Sequence, residues 1–307
     1  MKWLLKAFIQ RSIGLLPASE RINYFFQHQV AKNLPVSDET LDEKIALAAR
    51  RIDLFLKFGN GVPLGKAHIM EFGAGWDMLG PLTMYALGVK QQLVLDITPH
   101  LRFELINNAL ERLAKRTARF EELTGREALS FEGPAVKSKD DLLQRFGIDY
   151  RAPLDAAKTG FAEVSIDFIS TNSTLEHISA PELPQIMAES FRILTPGGVI
   201  CHFVDMKDHY SYFDTNISKY NFLKFTQFIW KIVNSPLQYQ NRLRLPQYRS
   251  LVTDAGFEIL YEEIDKATDR ELYDLSLLDV HPDFKEHFGE ADLSAQIYRV
   301  VARKPLR

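Results

Sequence analysis

Ile69-Met-Glu-Phe-Gly-Ala-Gly-Trp-Asp77 is a short apolar run with an acidic residue, closed by a Gly-x-Gly turn. A run that ends in such a turn is how a buried parallel strand passes into a helix beneath a nucleotide-like ligand. Glycine suits the turn because a Cβ would hold a ligand away from the backbone. The neighbouring segments take their reading from this one. Gly59-Asn-Gly61, Pro63 and Gly65 make a loop before it, so Ile69–Phe72 reads as the first strand. Pro81–Leu87 continues the following helix, Gly88 ends it, and Gln92–Leu95 is a second buried strand closed by Asp96.

The alternation continues. Leu101–Phe120 carries Leu101, Leu105, Ile106, Leu110 and Leu113 on one stripe and predicts a long amphipathic helix. Residues 121–147 are polar and read as an insertion with a short helix at Asp140–Phe146. Ile148–Ala152 and Ile166–Ser170 are the third and fourth strands. Ser179-Ala-Pro-Glu182 reads as a capping box that opens a helix running to about Leu194. Thr195-Pro-Gly-Gly198 is a turn, and Val199–Val204 a fifth strand. Residues 209–246 interrupt the alternation and read as a helix bearing Tyr220, Phe222, Phe225, Phe228 and Trp230. Pro246–Ala255 is another helix; Phe257–Glu263 and Ala295–Ala302 are the last strands. Residues 1–60 read helical, most clearly over Leu41–Phe58. The pattern over 66–204 predicts an α/β fold, a parallel sheet with helices on both faces.

With 307 residues, 46% of them hydrophobic and 25% charged, the chain suits one large domain with additions. A net charge of −3 lacks the basic bias of nucleic-acid binders, so no nucleic-acid partner is expected. The single cysteine, Cys201, excludes an intrachain disulfide and a Cys-rich metal site. No apolar run approaches the ~18 residues of a membrane-spanning helix, and a cytoplasmic location is expected. Residues 1–16 set Trp3, Leu4, Leu5, Phe8, Ile9 and Ile13 around Lys2, Lys6 and Arg11. Such a helix docks on its own domain or a second subunit, the favoured reading, or lies peripherally on a membrane surface.

Two ligand classes use the Gly turn, dinucleotides and S-adenosylmethionine. A dinucleotide fingerprint wants Gly at position 78, which is Met78 here. Asp77 stands near the helix end that would hold a pyrophosphate, and a carboxylate there repels one. A sulfonium and an ammonium tolerate it. The turn Glu71-Phe-Gly-Ala-Gly75 is followed in order by Asp96 and by Ile166-Asp-Phe-Ile-Ser-Thr-Asn-Ser-Thr-Leu-Glu-His-Ile178. After these come Phe191-Arg-Ile-Leu-Thr-Pro-Gly-Gly-Val199 and Asp254-Ala-Gly-Phe257. In this order and spacing, residues 66–304 resemble the class I S-adenosylmethionine-dependent methyltransferases. The resemblance implies a Rossmann-like seven-stranded sheet whose last strand is antiparallel. It places a methyltransferase domain at 63–307 with a lid-like helical insertion at 209–246, after a helical extension at 1–62. The chain departs from the common pattern at Trp76-Asp77, where many members have another glycine.

The cofactor so implied is S-adenosylmethionine, with Glu71, Gly73, Gly75, Asp96, Asp155 and Asn172 as its candidate contacts. Asp96 is placed to accept both ribose hydroxyls, unless it caps a helix. Asp155 would accept from the adenine amino group, or is a solvated loop carboxylate. Glu71 would order the Gly loop and the ammonium end. Asn172 would face the sulfonium and the acceptor, or is a turn residue. Candidate catalytic groups are His209, Asp205 and Asp208 after the fifth strand, with His177 on the other rim. Asp205, Asp208 and His209 could also hold a divalent cation, but no metal is assigned. Arg242 and Arg244 would grip a phosphate or carboxylate on the acceptor, or pair with surface acids. The function expected is methyl transfer to an oxygen, or a nitrogen, of a small molecule or a glycan or lipid-linked intermediate. A non-catalytic scaffold of the same fold is the alternative, and a nicotinamide-dependent dehydrogenase is less favoured.

Overall fold

The computed structural model describes residues 2–14, 24 and 34–306. Seven strands form one sheet in the order β3-β2-β1-β4-β5-β7-β6. They are β1 His68–Phe72, β2 Gln91–Leu95, β3 Ile148–Arg151, β4 Ile166–Asn172, β5 Leu194–Asp205, β6 Glu258–Asp265 and β7 Ile297–Arg303. β1 pairs in parallel with β2 and β4, β2 with β3, and β4 with β5. β7 runs antiparallel to both β5 and β6. The central β4 is buried along almost its whole length, as a parallel strand covered on both faces must be. β6 lies at the edge, half-exposed, and carries Glu262, Glu263 and Asp265, charges that discourage a further strand from pairing.

Successive strand residues point to opposite faces, which divides the core in two. Ile69, Val94, Phe168 and Cys201 face one group of helices: Asp38–Phe58 (α2), Leu79–Ala86 (α3), Phe103–Ala114 (α4), Thr117–Thr124 (α5) and Lys139–Phe146 (α6). Met70, Leu95, Ile169 and Ile200 face Leu183–Ile193 (α7) and the helix Leu245–Asp254. A third, smaller core sits apart from both. It joins Trp3 and Ala7 of Lys2–Gly14 (α1) to Tyr210, Tyr220, Phe222 and Trp230 of the post-β5 insertion and to Leu275, Phe284 and Leu293 between β6 and β7. No helix among the described residues is long and apolar enough to cross a membrane.

Four sequence expectations are corrected. The helix expected over 101–120 is two helices, α4 and α5, with Arg116 between them in a non-helical conformation. The break lets Arg116 and Arg119 reach Asp38 and Asp42 of α2 and buries Phe120. The helix expected from Ser179 begins at Leu183. Ser179 donates its N–H and hydroxyl to Glu182, so its oxygen does not cap a helix. The turn expected at 195–198 is taken into β5, which starts at Leu194 and carries a register irregularity against β4 there. The aromatic segment 209–246 is not one long helix. It is three 3-10 turns, at His209–Tyr212, Asn221–Lys224 and Pro236–Gln238, around the short α8, Gln227–Val233. Asp208, Thr226 and Ser235 each cap a turn or helix with a side-chain oxygen, which restarts the backbone repeatedly.

Candidate active site

The strand order reverses between β1 and β4, so their C-terminal ends diverge and leave a crevice. A cavity of about 450 Å³ lies there, lined by Gly73, Gly75, Asp96, Ile97, Asp155 and His177 among others. The two glycines are required for different reasons. Both have φ near +80°. A Cβ on Gly73 would lie 2.5 Å from the Thr174 Cγ2, whereas one on Gly75 would meet no atom within 4 Å. Gly73 is therefore demanded by packing as well as by conformation, and Gly75 by conformation alone. The Gly73 N–H donates to the Leu95 carbonyl at 3.0 Å, which ties the loop to the end of β2.

Asp96 is 7% exposed, and its Oδ2 is buried without a hydrogen-bond partner among the described residues. It caps no helix, since α4 begins beyond Arg102. Burial pushes its pKa up to about 7; a hydrogen bond from Tyr150 opposes this and the Glu71 charge adds to it. An orphaned carboxylate oxygen on a cavity wall is a site for donors that folding did not supply. Ile97 beside it is 71% exposed, although apolar, and offers a flat aliphatic surface to a ring. The sequence reading missed Ile97. The signal was an apolar side chain directly after the strand-ending acid.

Asp155 is exposed on the cavity rim, with Oδ1 accepting from the Ala157 N–H at 2.8 Å. Glu71 lies behind the loop. It is 6% exposed and faces Arg51 of α2, whose Nη1 is 3.3 Å from its Oε1. Asn172 lines a second cleft of about 440 Å³, with Lys44 and Arg50 of α2, Phe203 and Arg299. Ser173, held at φ +50°, lines both spaces and stands between them. Asp77 accepts from the Leu79 N–H at 3.1 Å, so its carboxylate occupies the end of α3 where a pyrophosphate would bind.

His177 and His209 meet edge to face, with ring centroids 5.0 Å apart. His177 is the one that lines the cavity; its Nδ1 is 2.6 Å from the Tyr239 carbonyl. That contact fixes the proton on Nδ1 and leaves Nε2 as a lone pair. Burial of its ring nitrogens, then the neighbouring His209, lowers the His177 pKa, which favours the neutral ring. His209 stands behind it, with Nε2 3.6 Å from the Asp205 Oδ2. Burial works to raise Asp205, but His209 and Lys207 hold it below the ordinary carboxylate value. Tyr212 donates its hydroxyl to Asp205 as well. Asp208 turns elsewhere: it is fully buried, accepts from the Tyr210 N–H and the Asn221 amide, and is pushed up to about 6 by burial.

Glu176 is a second residue the sequence reading passed over, although it lies within the quoted Leu-Glu-His. It is 1% exposed, accepts the Asp205 N–H at 3.2 Å through Oε1, and leaves Oε2 buried without a partner among the described residues. Burial, then the Asp205 charge, raises its pKa well above the ordinary value. Among the described residues, Glu176, His177 and His209 bring one ligand atom each within 4.8 Å of one another.

Arg242 and Arg244 are placed away from both spaces. Arg242 donates to the Phe222 and Phe225 carbonyls and to Gln227. Arg244 donates to the Met206, Leu293 and Ala295 carbonyls. His202 is buried in β5, 2.8 Å from the Thr171 hydroxyl, and Cys201 is buried beside it with its thiol pushed up to about 12 by burial.

Residues 130–202 match the family model described as a methyltransferase domain. The comparison with curated proteins finds no match. Among solved structures the chain is similar to the [4+2]-cyclase SpnF, at 15% identity and a TM-score of 0.44 over 84% of this chain and 82% of that one. It is similar to an S-adenosylmethionine-dependent methyltransferase from Mesorhizobium loti, at 15% and 0.44 over 84% and 99%. It is also similar to phosphoethanolamine N-methyltransferase 2 from Haemonchus contortus, at 15% and 0.45 over 92% and 60%. The sheet topology and the Gly turn are those that the resemblance to the class I S-adenosylmethionine-dependent methyltransferases implies, and the segment matched to a methyltransferase domain lies within that sheet region. S-adenosylmethionine is the cofactor of that class. The features of the cavity fit it: an orphaned carboxylate for ribose hydroxyls, an exposed Ile97 for adenine, and a left-handed Gly75 that leaves backbone open.

Proposed function

We propose that this chain transfers a methyl group from S-adenosylmethionine to an oxygen, or a nitrogen, of a small molecule or a glycan or lipid-linked intermediate. The observation that carries the reading is the cavity itself, with the unpartnered Oδ2 of Asp96 on one wall and His177, whose pKa is lowered, on the opposite rim. Asp96 would accept from the ribose hydroxyls, Ile97 would cover the adenine, and the Gly73–Gly75 backbone would face the methionine end. The bound sulfonium supplies an electrophilic methyl for in-line displacement. The chain's own work is to position the acceptor and take its proton. The His177 Nε2 is the base that faces the cavity; the Tyr239 carbonyl orients the ring, His209 packs against it, and the Asp205 charge offsets that of the imidazolium it becomes. The cleft beyond Ser173, with Lys44 and Arg50, is the acceptor's seat.

The test is transfer of an isotopically labelled methyl group to a panel of hydroxyl and amine acceptors, including glycans and lipid-linked glycans. Product is expected with at least one of them, and His177→Ala is expected to lower turnover by about 10²–10⁴-fold with cofactor affinity nearly unchanged. His209→Ala is expected to cost less, about tenfold. Tight cofactor binding with no transfer to any acceptor would favour the scaffold reading.

A further inference from the structure

Helix α1 has two unlike sides. Trp3 and Ala7 are buried against the insertion, with the Trp3 ring 5.5 Å from Tyr210 and 5.6 Å from Phe225. The Trp3 N–H donates to Asp214 at 3.2 Å. The other side leaves Leu5, Phe8 and Ile9 in the open, Phe8 at 70%. Helix α8 repeats the arrangement. Trp230 is buried, while Phe228, Ile229 and Ile232 are exposed, Phe228 at 74%. The spacing of each set, i, i+3 or i+4, puts it on one face of its helix. The two helices adjoin, and the Arg11 guanidinium donates to the Lys231 carbonyl at 2.9 Å. Single exposed apolar residues are ordinary, but two such faces on touching helices mark a binding surface.

Charge identifies the occupant. The chain has 40 acidic residues against 37 basic, yet none of the acids falls within residues 1–19 or 215–253. Those two acid-free stretches are the ones that supply α1 and α8. Lys6, Arg11, Lys224 and Lys231 lie on them, the last two exposed. A second copy of this face would set like charges against each other, whereas an anionic lipid surface complements both the apolar side chains and the basic ones. We propose that α1 and α8 together form a docking face for an anionic bilayer, one that holds the protein at the membrane surface without crossing it.

The test is flotation of the full chain with vesicles of phosphatidylglycerol mixed with phosphatidylcholine, and with phosphatidylcholine alone. The protein is expected to float with the anionic vesicles, and high salt should reduce binding at least tenfold. Phe8→Asp combined with Phe228→Asp should abolish flotation with an unchanged melting temperature, since both side chains are exposed. Lys231→Glu, which leaves Phe8, Phe228 and the Lys224 contact with the Phe225 ring in place, should weaken binding to anionic vesicles without altering the fold. Absence of flotation by the parent, or equal flotation by the double Asp variant, overturns the proposal. So does a dimer in sedimentation that the double Asp variant dissociates while vesicles bind neither protein.

Discussion

Asp96 is a carboxylate whose function and stability pull in opposite directions. Its pKa of about 7, set mainly by burial, means that the ligand-free protein holds this proton far more tightly than the unfolded chain does. The contribution to folding stability therefore declines as pH rises from the ordinary carboxylate range through about 7. Asp96→Asn should raise the melting temperature of the ligand-free protein at pH 8 by several degrees, measured by calorimetry. On the proposed reading the cofactor needs the ionised form, which alone accepts from two hydroxyls. Affinity should consequently fall as pH drops below 7, and titration calorimetry of Asp96→Asn should lose that dependence. Asp96→Ala should cost about 2–4 kcal/mol of cofactor affinity. The glycines give a second contrast at this scale. Gly73→Ala should lower the melting temperature more than Gly75→Ala, and Thr174→Ala should recover part of the loss only in the Gly73→Ala background. The residues that line the cavity through their position in the turn were legible in the sequence, because glycine and a strand-ending acid are local signals. Ile97 and Glu176 were not, since exposure of an apolar residue and burial of an acidic one are decided by neighbours far away in the chain.

Among the elements, α2 is joined to the first strand by charge inside the core. Arg51 is 2% exposed and faces the equally buried Glu71, and the Arg51 Nη1 also reaches the Ser170 hydroxyl at 3.4 Å. Removing one member leaves the other charged and buried. Arg51→Ala should destabilise by about 3–5 kcal/mol in urea denaturation, and Arg51→Met with Glu71→Gln should recover much of it. A matching loss in the double variant would show that the pair is not what couples α2 to β1. The sheet strands were readable because each is a short apolar run bounded by turn residues. Helix boundaries were less so. The stripe over 101–120 is continuous in sequence, but the chain breaks at Arg116, where Arg116 and Arg119 pair with Asp38 and Asp42 and Phe120 is buried. The aromatic spacing of 220–230 imitates a helical stripe, yet side-chain caps at Asp208, Thr226 and Ser235 divide it into short turns.

The whole molecule is a sheet with two covered faces and a third core built over its C-terminal edge. That core draws on residues as distant as Trp3, Trp230 and Phe284, and no local pattern announces such an assembly. It explains why Arg242 and Arg244, which read as a grip for a phosphate or carboxylate on the acceptor or as partners of surface acids, are engaged by main-chain carbonyls within this region. It also explains why His209 stands behind His177: the insertion carries His209 in from above, while His177 comes from the end of β4 at the cavity wall. The central claim is that the crevice between β1 and β4 is an S-adenosylmethionine site. Titration calorimetry of the purified chain with S-adenosylmethionine, S-adenosylhomocysteine and NAD tests it most directly. Saturable one-to-one binding of both adenosyl ligands is predicted, weakened by Asp96→Ala, with no binding of NAD; tight binding of NAD and none of either adenosyl ligand would contradict it.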